Sequence, residues 1–189
     1  WVLPMEGDKK PEAFLVTPAD ETHAQISPDG KWIAYTSDQS GRKEVWVRLF
    51  PSGLGQWQIS PDSSTLGGDW PRWNRNSKAG SEIFYHSIVS TVPGVPPEVV
   101  YGPTFSVAIK ATSGAIEAAT PREVVQNLIP RFPHSGGDYH TFDVSPDGQR
   151  LLVMQVVQPT AVTTGTFGTE LRAPGLTVAM NWISGLKKK

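Results

Sequence analysis

Short apolar runs separated by clusters of Pro, Gly, Ser and Asp recur along the whole chain. Punctuation at such close intervals predicts short β-strands joined by tight turns, with little helix. One stretch is repeated. Ile26-Ser27-Pro28-Asp29-Gly30-Lys31-Trp32-Ile33-Ala34-Tyr35 returns as Val144-Ser145-Pro146-Asp147-Gly148-Gln149-Arg150-Leu151-Leu152-Val153. A worn copy lies between them at Trp73-Asn74-Arg75-Asn76-Ser77, followed by a short insertion before Ile83-Phe84-Tyr85. Each copy reads as a hairpin. A strand ends at Ser, Pro presets φ at the first turn position, Asp caps the turn through its side chain, and Gly supplies a positive φ.

The strand after each corner is apolar on both faces: Trp32, Ile33, Ala34 and Tyr35 in the first copy, and Leu151, Leu152, Val153 and Met154 in the last. That pattern is expected of sheets stacked face to face. After the first corner, Asp38 to Lys43 turns the chain into Glu44-Val45-Trp46-Val47-Arg48-Leu49-Phe50, and Pro51-Ser52-Gly53 leads on to Gln56-Trp57-Gln58-Ile59-Ser60. Four strands in about forty residues is the size of one propeller blade.

The expected fold is therefore all-β, a partial β-propeller of about three to four four-stranded antiparallel blades. Residues 1–18 read as the outer two strands of a blade, and 19–66, 67–132 and 133–189 as one blade each. In the second unit, strands are expected near 70–74, 82–89, 99–110 and 115–125, with a Pro/Val-rich loop from Ser90 to Pro97. In the third they are expected near 140–145, 149–157 and 175–183, with a Thr/Gly-rich loop around Thr163 to Thr169. Trp1-Val2-Leu3-Pro4 reads as a strand entered midway, which predicts further chain before Trp1.

Composition supports short strands and turns: 18 Gly, 17 Pro and 7 Trp. Lys plus Arg is 17 against 18 for Asp plus Glu, a formal net charge of −1, so no bulk field favours nucleic acid or an anionic membrane. The terminal Lys187 to Lys189 read as a solvated tail. The chain has no cysteine, which removes disulfides, thiolate metal sites and Cys nucleophiles. No apolar run approaches the roughly 20 residues of a membrane span.

The repeat resembles the WD-like propeller repeat of the TolB type. More closely, the Ser27 to Ser37 stretch, Ser40-Gly41-Arg42-Lys43-Glu44-Val45-Trp46-Val47, Gly67-Gly68 followed by Pro71-Arg72-Trp73, and Leu176 to Trp182 resemble the C-terminal propellers of bacterial serine/threonine-kinase-type sensors. The resemblance implies a domain that senses or binds, and a periplasmic or otherwise extracytoplasmic location. The residues that carry it are scaffold, and one propeller fold hosts many activities.

No set of Gly-rich loop, strand lysine and metal-binding aspartates for phosphoryl transfer occurs, and no Gly-x-Ser-x-Gly elbow. The expected role is a noncatalytic module that recognises a protein or small ligand. The alternatives are an accessory propeller of a serine hydrolase and a purely structural assembly module. No cofactor is expected.

Ligands of propellers sit over the central channel, at the entries to the innermost strands. Here those entries carry Glu21, Thr22 and His23; Asp69, Trp70 and Arg72; and Asp138, Tyr139 and His140. Converging, they would place two histidines and several carboxylates in one funnel, able to hold a cation or grip a polar ligand. The plainer reading is that they satisfy loop backbone and channel water. His86 and His134 are expected in loops or at the surface. Trp1, Trp32, Trp46, Trp57, Trp73 and Trp182 are expected in the core; Trp70, at a loop, is also assigned to the core, with stacking on a ligand as its alternative. A partial ring leaves sheet faces and edges uncovered, so a partner is expected: a second copy, or further chain completing a ring of roughly six to eight blades.

Overall fold

The computed structural model describes residues 1–61, 67–76, 82–88, 101–112, 114–126, 142–155 and 175–180. Among them all regular structure is β, and every ladder is antiparallel. The first sheet is a meander of β1 (Glu21–Ile26), β2 (Trp32–Ser37), β3 (Glu44–Leu49) and β4 (Trp57–Gln58), in that order. The second runs β5 (Gly68–Trp73), β6 (Glu82–Ile88), β7 (Tyr101–Ala111), β8 (Ile116–Ala118), with β9 (Arg122–Val125) also on β7. The third is β10 (Phe142–Val144), β11 (Arg150–Gln155) and β12 (Gly175–Met180).

The repeated corner is built twice from the same bonds. Gly30 N donates to Ser27 O at 2.9 Å, as Gly148 N does to Ser145 O at 2.8 Å. Lys31 N and Gln149 N reach the Oδ1 of Asp29 and Asp147, and Trp32 N and Arg150 N donate to the Oγ of Ser27 and Ser145 at 3.0 Å. Each serine hydroxyl in turn donates to its aspartate. Gly30 and Gly148 sit at φ 71° and 65°, where a Cβ is costly. In the worn copy Asn74 replaces the serine, its Oδ1 accepting from Asn76 N at 3.1 Å. Residues 77–81, where the insertion falls, lie outside the described residues.

Three expectations are corrected. Residues 1–18 form one antiparallel bridge, Val2 to Glu12, in place of two strands; Pro4, Pro11 and Pro18 withdraw the donors a ladder needs. Trp1 is 81% exposed, outside any core. The outer strand expected near 115–125 is divided at Pro121. β8 pairs with Ile109 to Ala111 and β9 with Thr104 to Ser106, both on the long β7.

The sheets stack through two apolar layers. Trp32, Ala34, Val45 and Val47 of the first sheet pack with Trp73, Ile83, Tyr85 and Val107 of the second. The second sheet's opposite face, through Trp70 and Phe84, packs with Phe142, Val144, Leu151 and Val153. The strands that open each sheet are neighbours: β5 lies against β1, and β10 against β5.

The corners of the second and third sheets also touch. Asn76 Nδ2 donates to Asp147 O at 2.7 Å, and a Cβ on Gly148 would fall 2.0 Å from Asn74 Oδ1. A Cβ on Gly30 would meet open space. Gly30→Ala should therefore cost only the positive-φ penalty, about 1–2 kcal/mol, while Gly148→Ala should cost substantially more. Urea denaturation of the two variants beside the parent checks the order.

Candidate functional site

The strands that open the first and second sheets each break register, between Thr22 and Gln25 in β1 and between Asp69 and Arg72 in β5. At the two breaks His23 and Trp70 adopt positive φ, 55° and 60°. The breaks turn both side chains toward each other. The imidazole of His23 stacks on the Trp70 indole, with centroids 3.5 Å apart and planes 22° from parallel.

Asp69 lies beneath this stack and is fully buried. Its Oδ1 accepts from Thr36 Oγ1 and from Trp70 N at 2.8 Å each, and lies 2.8 Å from His23 Nδ1. Its Oδ2 accepts from Lys43 Nζ at 3.1 Å. One carboxylate from the second sheet thus meets β1, β2 and the residue before β3 of the first. The glycines ahead of it allow the approach: Gly68 N donates to Lys43 O at 3.0 Å, and a Cβ on Gly67 would fall 2.1 Å from that oxygen. Burial alone would raise the Asp69 carboxyl. The His23 hydrogen bond, the charges of Lys43 and His23, and the Thr36 hydroxyl outweigh it and hold the value down to about 2.

Arg72, two residues on, has its guanidinium 6.0 Å from the Trp70 ring centre and donates to Pro71 O at 3.0 Å. Burial depresses it from its ordinary value, against the charge of Asp143. Gln25 completes the junction of the opening strands: its Oε1 accepts from Trp73 N at 2.6 Å and its carbonyl from Trp73 Nε1 at 3.0 Å. Of the residues expected at the funnel, His23, Asp69, Trp70 and Arg72 come together here. Asp138, Tyr139 and His140 lie outside the described residues, as do His134 and Trp182. Among the described residues no three His, Asp or Glu side chains gather in a set able to hold a metal ion.

His86 corrects the sequence expectation most sharply. It is fully buried in β6, in register with Asp69, its Nδ1 3.1 Å from Thr104 Oγ1 and its ring edge-on to Phe142 at 4.6 Å. The uninterrupted run Ile83-Phe84-Tyr85-His86-Ser87-Ile88 was the signal that it continues a buried strand. Burial holds its imidazole down at about 3, against a smaller upward pull from Asp69. Trp70, expected in the core, is buried there, as are Trp32 and Trp73; Trp46 and Trp57 are half-buried. A second buried carboxylate, Glu44, accepts from Arg42 Nε at 2.6 Å and from the Ser60 hydroxyl. The Tyr85 phenol has no hydrogen-bond partner among the described residues, and burial followed by the charge of Glu44 pushes it up.

No family model matches this chain, and no curated protein matches it. Among solved structures, a protein assigned as TolB from Agrobacterium tumefaciens is similar over 58% of this chain and 36% of that one, at 20% identity and a TM-score of 0.39. No helix among the described residues is long and apolar enough to cross a membrane.

The two buried groups titrate in separate windows. His86 folded sits below its ordinary 6.5, so the unfolded chain binds the proton first and stability falls from pH 6.5 toward 3, at up to about 1.4 kcal/mol per pH unit. Asp69 folded sits below 3.8, so its stabilisation is complete above that pH and is lost between 3.8 and about 2. His86→Gln should flatten the upper window and leave the lower one. Asp69→Ala should cost about 3–5 kcal/mol at neutral pH. Urea midpoints measured across pH check both.

Proposed function

We propose that the chain is a partial β-propeller acting as a noncatalytic recognition module for a protein or small ligand. The observation that carries this reading is the succession of antiparallel sheets stacked face to face, with the opening strands β1, β5 and β10 side by side. Strands so placed would line an axis, with 19–66, 67–132 and 133–189 as blades around it. Trp70 and Arg72, beside the His23 stack, would stand nearest the channel mouth, with Asp138, Tyr139 and His140 as the third blade's share. Asp69 spends both of its oxygens on internal donors, so its part would be to hold Trp70 in place. Attachment to a kinase-type sensor is the finer form of this reading, supported by the residue resemblance from Ser27 to Val47.

Amide shifts on the labelled chain, recorded against a fragment library and a panel of short peptides, test the reading. Perturbations should gather at His23, Trp70, Arg72 and the 138–140 stretch. Hits confined to β4 and β8, or turnover of an ester, a peptide or ATP by the purified chain, would refute it.

A further inference from the structure

Among the described residues each internal junction of the stack holds one histidine, and the two have different surroundings. His23, where the first and second sheets meet, lies 2.8 Å from the Asp69 carboxylate through Nδ1. His86, where the second and third meet, has Thr104 Oγ1 at 3.1 Å from Nδ1 and the Phe142 ring at 4.6 Å between centres. The side chains of β6 alternate. Ile83 and Tyr85 pack in the layer shared with the first sheet, whereas Phe84 packs in the layer shared with Phe142, Val144, Leu151 and Val153. His86 stands on the Phe84 side, against Phe142, and is fully buried. Lifting the third sheet would therefore bring water to His86, while lifting the first would bare the opposite face of β6.

The strands packed around this ring carry few charges. β5 brings Asp69, in register with His86 and engaged by His23, Thr36, Lys43 and the Trp70 N–H, and further along it Arg72. β7 brings Thr104 opposite His86, and its charged residue, Lys110, is exposed beside Glu117. β9 brings Arg122 and Glu123, in register with Ser106 and Phe105. β10 brings Asp143, exposed between Phe142 and Val144, and β11 brings Arg150, exposed beside Asp147. Burial outweighs the upward pull of Asp69, so the ring stays neutral in the closed junction down to about pH 3.

We propose that the junction between the second and third sheets is an acid-sensitive latch: a proton taken up by His86 stabilises a state in which the third sheet has come away while the first and second remain joined. A hydrated imidazole takes the proton far more readily than a buried one. Each pH unit below 6.5 therefore favours the open state up to about tenfold. The Asp69 cluster stays intact meanwhile, because its carboxylate remains ionised well below that range. Opening uncovers Trp70 and Phe84 on one side and Phe142, Val144, Leu151 and Val153 on the other, two apolar faces that the closed chain hides.

The chain has no cysteine, so a single introduced thiol reports on one layer. Val153→Cys places it between the second and third sheets and Val47→Cys between the first and second, at positions 2% and 0% exposed. Labelling by a pyridyl disulfide is followed from about pH 7.5 to about pH 4.5, each rate divided by that of a small free thiol at the same pH, so that it reads the open fraction. Labelling of Val153→Cys should rise on the order of a hundredfold, and that of Val47→Cys should stay level. Adding His86→Gln to Val153→Cys should abolish the rise; where circular dichroism shows that glutamine disturbs the sheets, His86→Met takes its place. Equal acceleration in both thiol variants, none in Val153→Cys, or a rise that survives loss of the imidazole would overturn the proposal.

Discussion

A single ionised carboxylate in a dry junction constrains this molecule more than any apolar contact does. Burying an unpaired charge is prohibitive, so Asp69 can sit between the sheets only where several donors meet it together. Those donors come from the side chains of His23, Thr36 and Lys43 and from the backbone N–H of Trp70, spread over the first sheet and the start of the second. Any slip of one sheet against the other would strand the charge. The apolar layer supplies the bulk of the attraction and is indifferent to small sliding; the carboxylate fixes the alignment. The paired glycines ahead of it are the steric condition for that bond set, because the backbone at Gly67 passes too near Lys43 O to carry a side chain.

The two residues after this junction on opposite faces of β6 show how a neutral strand tolerates polar atoms. His86 points toward the third sheet and leans on Thr104 and Phe142. Tyr85 points the other way, stacked on Phe105 with centroids 5.9 Å apart, and places a buried phenol near the Glu44 charge. Both are kept in their uncharged forms, one by a value far below neutrality and the other by one above its ordinary range. Among the described residues the buried charged groups are then Asp69 with Lys43, Glu44 with Arg42, and Arg72, whose guanidinium lies beside Trp70.

What could be read from the sequence divides along the range of the interactions. The Ser-Pro-Asp-Gly corners were legible because every bond that defines them closes within a handful of residues, and the structure repeats those bonds at Ser27 and Ser145. Strand order within a sheet followed from the corners. The Asp69 cluster was legible only as a gathering of polar residues at strand entries: that its carboxylate turns inward depends on Thr36 and Lys43, more than twenty residues away in sequence. His86 was misplaced for the same reason, since its burial is decided by Phe142 of another sheet. Trp1 was misplaced because, among the described residues, the segment around it is paired only through the Val2–Glu12 bridge.

The middle sheet packs one face on the first sheet and the other on the third, and this bears on how such a chain can change length. Insertion or loss of a complete unit between two corners leaves unlike faces still meeting, with all of the intervening contacts of a familiar kind. Loss of half a unit would bring two like surfaces together, or expose a strand whose polar backbone groups have no counterpart. Duplication is thus an easy route for this architecture and partial deletion a hard one. The Ser27 and Ser145 corners, alike bond for bond with a worn relative between them, are what repeated copying of one unit would leave behind.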